Sequence, residues 1–241
     1  MKGDTSDREH WAQFAKEWIG WAGTPGHDAF WSFRNAFIAY IGNGPGAALE
    51  VGCGEGRVSR ELKALGYTVT ATDAVAEMVD AARLADSADH YSVAPATNLP
   101  FADASFDLAV AYNVLMDVVD VAACLKEIRR VLRPDGQLVI SIVHPFSDRG
   151  AFESDAPDAA FVLRGTYFGR ERFENAEERS GLAMHFAGWS QPLGNYFAAH
   201  EAAGFAVTSL REPVPEIGPH DDRLRRFQRV PMFLWLKART F

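Results

Sequence analysis

Leu49-Glu50-Val51-Gly52-Cys53-Gly54-Glu55-Gly56-Arg57, followed by Val69-Thr70-Ala71-Thr72-Asp73, is the stretch that decides the fold. An apolar strand runs into alternate glycines, a helix follows at once, and a second apolar strand ends on an acid. Glycine belongs where a Cβ would obstruct a tight bend or a ligand, and the new helix aims its unpaired N-terminal amides at whatever lies in that bend. An acid about 20 residues beyond the turn lies at the end of the neighbouring parallel strand, placed to accept hydrogen bonds from two ribose hydroxyls. The pattern predicts a nucleoside-binding half-site on a parallel α/β sheet.

The spacing narrows the nucleoside. A dinucleotide fold sets a third glycine where helix and strand pack closely under a pyrophosphate; here Arg57 occupies that place. Glu50-x-Gly52-x-Gly54-x-Gly56 with Asp73 downstream resembles motif I and its following acid in class I S-adenosylmethionine-dependent methyltransferases, whose ligand has ribose and adenine but no phosphate. Alternate glycines by themselves also suit a turn that binds nothing. The resemblance continues, however, from about 47 to 144. Leu99-Pro100-Phe101-Ala102-Asp103-Ala104-Ser105-Phe106-Asp107 is close to a phrase common in the type 11 branch, and Glu127-Ile128-Arg129-Arg130-Val131-Leu132-Arg133-Pro134-Asp135-Gly136 resembles the helix end and turn before that family's fifth strand.

The resemblance implies an α/β, Rossmann-like fold: a seven-stranded, mostly parallel sheet with helices on both faces and an antiparallel seventh strand. An N-terminal helical cap over residues 1–45 would precede a methyltransferase domain over 46–241, with a substrate-side insertion at 145–191. It also implies S-adenosylmethionine as cofactor and a small-molecule methyl acceptor. Two rivals stay open: an NAD-dependent oxidoreductase, which Arg57 disfavours, and a module that kept the nucleoside pocket without transfer.

Composition sets outer limits. A chain of 241 residues buries one substantial core. With 24 basic against 32 acidic residues, for a net charge of −8, nucleic acid and membrane surfaces are unsuitable partners. The N-terminus lacks the apolar core of a signal peptide and no apolar run reaches about 18 residues, so a cytoplasmic monomer or homodimer is expected. Two cysteines, Cys53 and Cys124, make neither a disulfide framework nor a metal set.

Alternation of periods marks the elements. Trp11, Phe14, Trp18 and Trp21 recur at spacings of three and four, as on one face of a helix. Strands are expected over Ala47–Val51, Tyr67–Thr72 and His90–Ala94, around Leu108 and Val110, and over Leu138–Val143, Phe205–Leu210 and Met232–Lys237. Helices are expected over Arg57–Leu65, Ala74–Ala85 and Val119–Leu132, and from Gln191-Pro192 to Gly204. Between Pro145 and Gln191 the alternation breaks, and aromatics among charges suggest an irregular functional insertion.

Site residues follow from position. Glu50, Gly52, Cys53 and Gly54 should line the methionine portion of the cofactor, although Glu50 also reads as a structural acid receiving amides from the turn. Asp73, with Ala74 beside it, should hold the ribose, and the resemblance puts Met78, Ala96 and Thr97 around adenine. Pro95 stands where relatives commonly carry an acid for the adenine amino group, so Thr97, Asn98 or backbone must serve. Tyr112 and Asn113 end the fourth strand at the rim where such sheets bind ligands. Methyl transfer needs a base only when the acceptor atom holds a proton of high pKa; His144, His185 and Asp117 are the candidates. Arg34 reads as a partner for the cofactor carboxylate or a surface salt bridge. Arg223 to Arg229 beside Asp221 and Asp222 read as a solvated loop or helix.

Overall fold

Successive side chains of a strand point to opposite faces of a sheet, and a parallel sheet is apolar on both. The computed structural model describes residues 4–218 and 223–241 and buries its main sheet between two helical layers. Three helices open the chain, α1 (Asp4–Gln13), α2 (Ala15–Gly23) and α3 (Phe30–Ile41). Strand and helix then alternate through β1 (Ala47–Val51), α4 (Arg57–Ala64), β2 (Thr68–Asp73), α5 (Ala76–Leu84), β3 (His90–Val93), β4 (Phe106–Tyr112), α6 (Val121–Val131) and β5 (Leu132–Val143). Four strands outside the main sheet follow: β6 (Gly150–Phe152), β7 (Phe161–Leu163), β8 (Glu171–Arg179) and β9 (Leu182–Ser190). The chain then returns to the main sheet through α7 (Leu193–Ala202), β10 (Phe205–Arg211) and β11 (Phe233–Thr240).

The seven-stranded sheet has the order β10-β11-β5-β4-β1-β2-β3, and only β11 runs against its neighbours. Leu49, Ala109, Ile140 and Leu236 share one core with Leu125 and Ile128 of α6 and Tyr196 of α7. Their neighbours Ala48, Val110, Val139 and Trp235 share the other with Phe33 and Phe37 of α3 and Leu62 of α4. The strand order reverses between β1 and β4, which opens a crevice at their carboxyl ends.

The structure revises four expectations. Phe33 and Phe37 pack edge-on against Phe233 and Trp235, so α3 is a layer helix and only α1 and α2 remain as a cap. The aromatic helix is two helices, interrupted at Phe14 with φ −103° and ψ 15°. β5 starts at Leu132 rather than Leu138, because Pro134 disfavours helix at Arg133 and α6 must stop.

The insertion is not irregular: β6–β7 and β8–β9 are antiparallel ribbons, the latter with nine paired positions. Ser180 and Gly181, at φ 52° and 78°, form the two-residue connection with positive φ that tight hairpins favour. In the basic segment Arg226 pairs with Asp155, while Asp221 and Asp222 lie outside the described residues. No helix among the described residues is long and apolar enough to cross a membrane.

Candidate functional site

The crevice floor is the glycine bend. Gly52 has φ +70°, and a Cβ there would collide with Val114, just past β4; this lets the two strand ends close on one another. Cys53 N–H donates to Thr72 O at 2.8 Å, which ties the bend to β2. At the end of β2, Asp73 Oδ2 accepts from Gly54 N–H at 2.9 Å and Oδ1 from Val75 N–H at 3.0 Å. A carboxylate offers about four lone-pair directions, so each oxygen retains capacity for a hydroxyl. Burial raises the Asp73 pKa, and the amides of Val75 and Gly54 oppose it.

Glu50 is 2% exposed and accepts from Ser59 Oγ. Burial pushes its carboxyl up to about 8; the Ser59 bond opposes this, and the Glu55 and Asp73 carboxyls add to it.

These groups bound a cavity of about 160 Å³. Glu50, Gly52, Cys53 and Gly54 line one part of it, Asp73, Ala74, Met78, Ala96 and Thr97 another, and Asn113 and Asp117 a third. Met78 is buried and clusters with Val75, Trp11 and Trp18. Pro95 and Thr97 line this cavity beside Ala96, whereas Asn98 is not among its lining residues and its backbone N–H closes a turn on Pro95 O at 3.0 Å. A carboxylate with spare lone pairs, a bend free of side chains, helix-start amides and an apolar slot fit S-adenosylmethionine.

A second cavity, of about 760 Å³, adjoins the first. Trp11, Trp18, Arg57, Tyr112, Asn113 and Asp117 line both. Its walls are aromatic, with Trp21, Phe30, Phe173, Phe186 and Phe227 among them. Arg57, 9% exposed, donates Nη1 to Asp28 at 2.6 Å, and its guanidinium lies over the rings of Phe30 at 4.4 Å and Trp18 at 5.1 Å. Burial, reinforced by Asp7, Asp73 and Asp148, pushes the Asp117 carboxyl well up.

The two histidines expected as bases line neither cavity. His144 Nε2 bonds Glu212 at 3.0 Å and its Nδ1 accepts from Phe146 N–H at 3.1 Å. His185 bonds Glu17 at 2.9 Å and stacks on Phe14. Asp117 alone of the three predicted bases faces the site. Arg34 makes a bidentate pair with Glu61, the surface salt bridge of the two expectations. Sequence reading missed Arg57 as a wall residue, whereas Tyr112, read with Asn113 as the end of the fourth strand at the ligand rim, lines both cavities. The substitution of arginine for the third glycine was visible, but its reach to Asp28 was not.

Comparison with known proteins agrees with this geometry. A methyltransferase domain model of type 11 matches residues 49–140. A malonyl-[acyl-carrier protein] O-methyltransferase of Pseudescherichia vulneris is 37% identical over 97 residues, covering 40% of this chain and 39% of that protein. A demethylmenaquinone methyltransferase of a Mycobacterium species (strain KMS) is 40% identical over 116 residues, covering 48% and 49%. The chain thus matches at most about half the length of these curated relatives. The crystal structure of an S-adenosylmethionine-dependent methyltransferase from Mesorhizobium loti superposes with a TM-score of 0.66 at 25% identity, over 88% of this chain and 98% of that one. With the glycine bend, Asp73 and this sheet order in place, residues 49–140 are similar to a type 11 methyltransferase domain, and the fold is similar to that of S-adenosylmethionine-dependent methyltransferases.

Proposed function

We propose that the chain transfers a methyl group from S-adenosylmethionine to a small molecule held in the larger, aromatic cavity. The observation that carries this reading is the junction: a cavity floored by the glycine bend and Asp73 shares six lining residues with a chamber large enough for an acceptor. Asp73 would grip the ribose hydroxyls, Glu50 and the amides at the start of α4 the amino-acid end, and Val75 and Met78 the adenine face. When bound, S-adenosylmethionine supplies a methyl carbon already activated by its sulfonium.

The remaining tasks are alignment and dehydration, worth several kcal/mol each. Trp11 and Trp18 line both cavities and would exclude water from the passage. Asp117 at that passage, its carboxyl pKa raised by burial, would orient the acceptor. The net charge of −8 favours a small acceptor over nucleic acid, and two buried free cysteines suit the cytoplasm.

Calorimetry with S-adenosylhomocysteine and with NADH tests the cofactor: heat is expected with the first alone, and heat with NADH alone would overturn the reading. A labelled-methyl transfer assay across an acceptor panel separates an enzyme from a module that binds the nucleoside without transferring.

A further inference from the structure

The methionine carboxylate of S-adenosylmethionine would enter a cavity lined by acids, Glu50, Glu55, Asp73 and Asp117 among them. An anion taken out of water needs donors, and those of the glycine bend are partly spent: Gly54 N–H is held by Asp73 and Gly56 N–H by Cys53 O. One donor over the bend is not. A Cβ on Gly54 would come within 2.8 Å of Trp18 Nε1, so this glycine is what lets the indole of α2 reach the bend.

The Trp18 N–H makes no hydrogen bond within the protein, yet it is not sealed in as the unpartnered Nε1 atoms of Trp31 and Trp235 are. Its side chain lines both cavities. The ring is held by its neighbours. The Arg57 guanidinium, its charge answered by Asp28, lies over it at 5.1 Å, and Trp11 and Phe186 meet it edge-on with centroids 5.6 and 6.4 Å away. A largely enclosed indole ordinarily finds a partner for its N–H; this one is clamped in place with its only polar atom turned to the site.

Resting on the methyl-transfer reading above, we propose that Trp18 donates its indole N–H to the methionine carboxylate of the cofactor, and that this bond couples cofactor binding to closure of the cap over the acceptor chamber. An α-carboxylate is ionised at neutral pH, and a hydrogen bond to a charged acceptor is the stronger kind. The coupling follows from where Trp18 sits. Trp11, Trp18 and Trp21 of the cap wall the large cavity, and Phe186 joins Trp18 to β9. A cofactor that grips the indole favours the closed cap, and the closed cap completes the chamber, so cofactor binds first and acceptor second. Arg8 of α1 lines the cofactor cavity too, but it is exposed, and water already solvates its charge.

Calorimetry with S-adenosylhomocysteine and with its decarboxylated analogue, on wild type and on Trp18→Phe, isolates the bond as a double-mutant cycle. The two ligands share adenosine, thioether and ammonium, so the ring area lost in Trp18→Phe affects them alike and only the carboxylate differs. Trp18→Phe should lose about tenfold in affinity for S-adenosylhomocysteine and less than about twofold for the analogue. Arg8→Ala should weaken both by the same factor. Wild-type hydrogen exchange reports the coupling without any variant: S-adenosylhomocysteine should slow exchange in α2 and β9, and the analogue should slow it less.

Equal losses for the two ligands in Trp18→Phe overturn the proposal, as does tighter binding of both, which would make the indole a plug over the bend. Equal slowing of exchange by both ligands overturns it too, and so does a carboxylate preference that Arg8→Ala removes and Trp18→Phe keeps. No heat from S-adenosylhomocysteine in wild type removes the methyl-transfer reading itself, whereas heat there without a carboxylate-specific loss in Trp18→Phe removes only this inference.

Discussion

Beneath the cofactor cavity, the glycine bend is held by its immediate neighbours in the sheet: Cys53 N–H on Thr72 O, Gly54 N–H on Asp73. Above it, the cap is held by residues 165 to 182 positions away in sequence. Asp7 of α1 accepts from Arg172 and from Trp189 Nε1, His10 bonds the His185 carbonyl, and Glu17 of α2 bonds the His185 ring. The floor is complete once β1, β2 and β4 pair. The roof needs α1, α2 and the β8–β9 ribbon to be placed against one another afterwards. Such a unit can open locally while the sheet stays folded, and an enclosed site needs that if acceptor and product are to pass.

The contrast is broken most severely at Glu50, the most deeply buried acid of the floor. Its folded pKa, about 8, lies above its ordinary value of 4.5. Between those values the folded state holds a proton that the unfolded state has released, so this group's contribution is present below pH 4.5 and is lost as pH rises to about 8. Each tenfold change in proton affinity is worth about 1.4 kcal/mol, and the full effect is several kcal/mol. Glu50→Gln, which mimics the protonated form, should therefore gain stability relative to wild type as pH rises, read from denaturant midpoints at about pH 5 and about pH 9. Equal differences at both pH values would show that the floor does not hold a neutral acid.

Asp73→Asn follows in size. It keeps one acceptor oxygen but loses the charge and one lone-pair set, so S-adenosylhomocysteine affinity should fall by about 1.5–3 kcal/mol by calorimetry. Acceptor affinity, measured in cofactor-saturated protein, should barely move.

Asp7→Asn sharpens the comparison from the other side. Arg172 loses its buried partner, at a cost of about 1–2 kcal/mol confined to the cap. Hydrogen exchange should quicken in α1 and in the β8–β9 amides but not in β1, β4 or β5, and acceptor KM should rise more than the cofactor Kd. If exchange in the sheet quickens as well, roof and floor are one cooperative unit.

The same division explains what was legible. From β1 to β5 the period of two, the glycines, Asp73 and the loop signals are local, and each strand and helix fell within a few residues of its expected place. The start of β5 departed because a single proline outweighed an apolar pattern. β8, Glu-Arg-Phe-Glu-Asn-Ala-Glu-Glu-Arg, carries no apolar alternation, so nothing marked it as a strand. Arg57 reads as a helix-start residue; that it reaches Asp28 and walls two cavities depends on α3 packing on the sheet, which no local signal encodes.

The histidines show how fine the missing information is. At the end of β5, where His144 was the expected base, the side chain that lines the large cavity is that of Val143. One position on, the pleat turns His144 to the other face, where Glu212 and Phe146 N–H hold both its nitrogens. The ribbon repeats the lesson. Phe173, Asn175, Glu177 and Arg179 alternate into the cavity, and His185 pairs with Ala176, out of that set. His144→Ala and His185→Ala should accordingly leave the rate of methyl transfer within about twofold of wild type at every pH between about 6 and about 9, because neither ring can reach an acceptor proton within hydrogen-bond distance. A loss of a hundredfold or more in either variant, with cofactor binding intact, would mean that the cap closes far enough to bring that ring inside. Roof and floor would then have to be redrawn as a single catalytic surface.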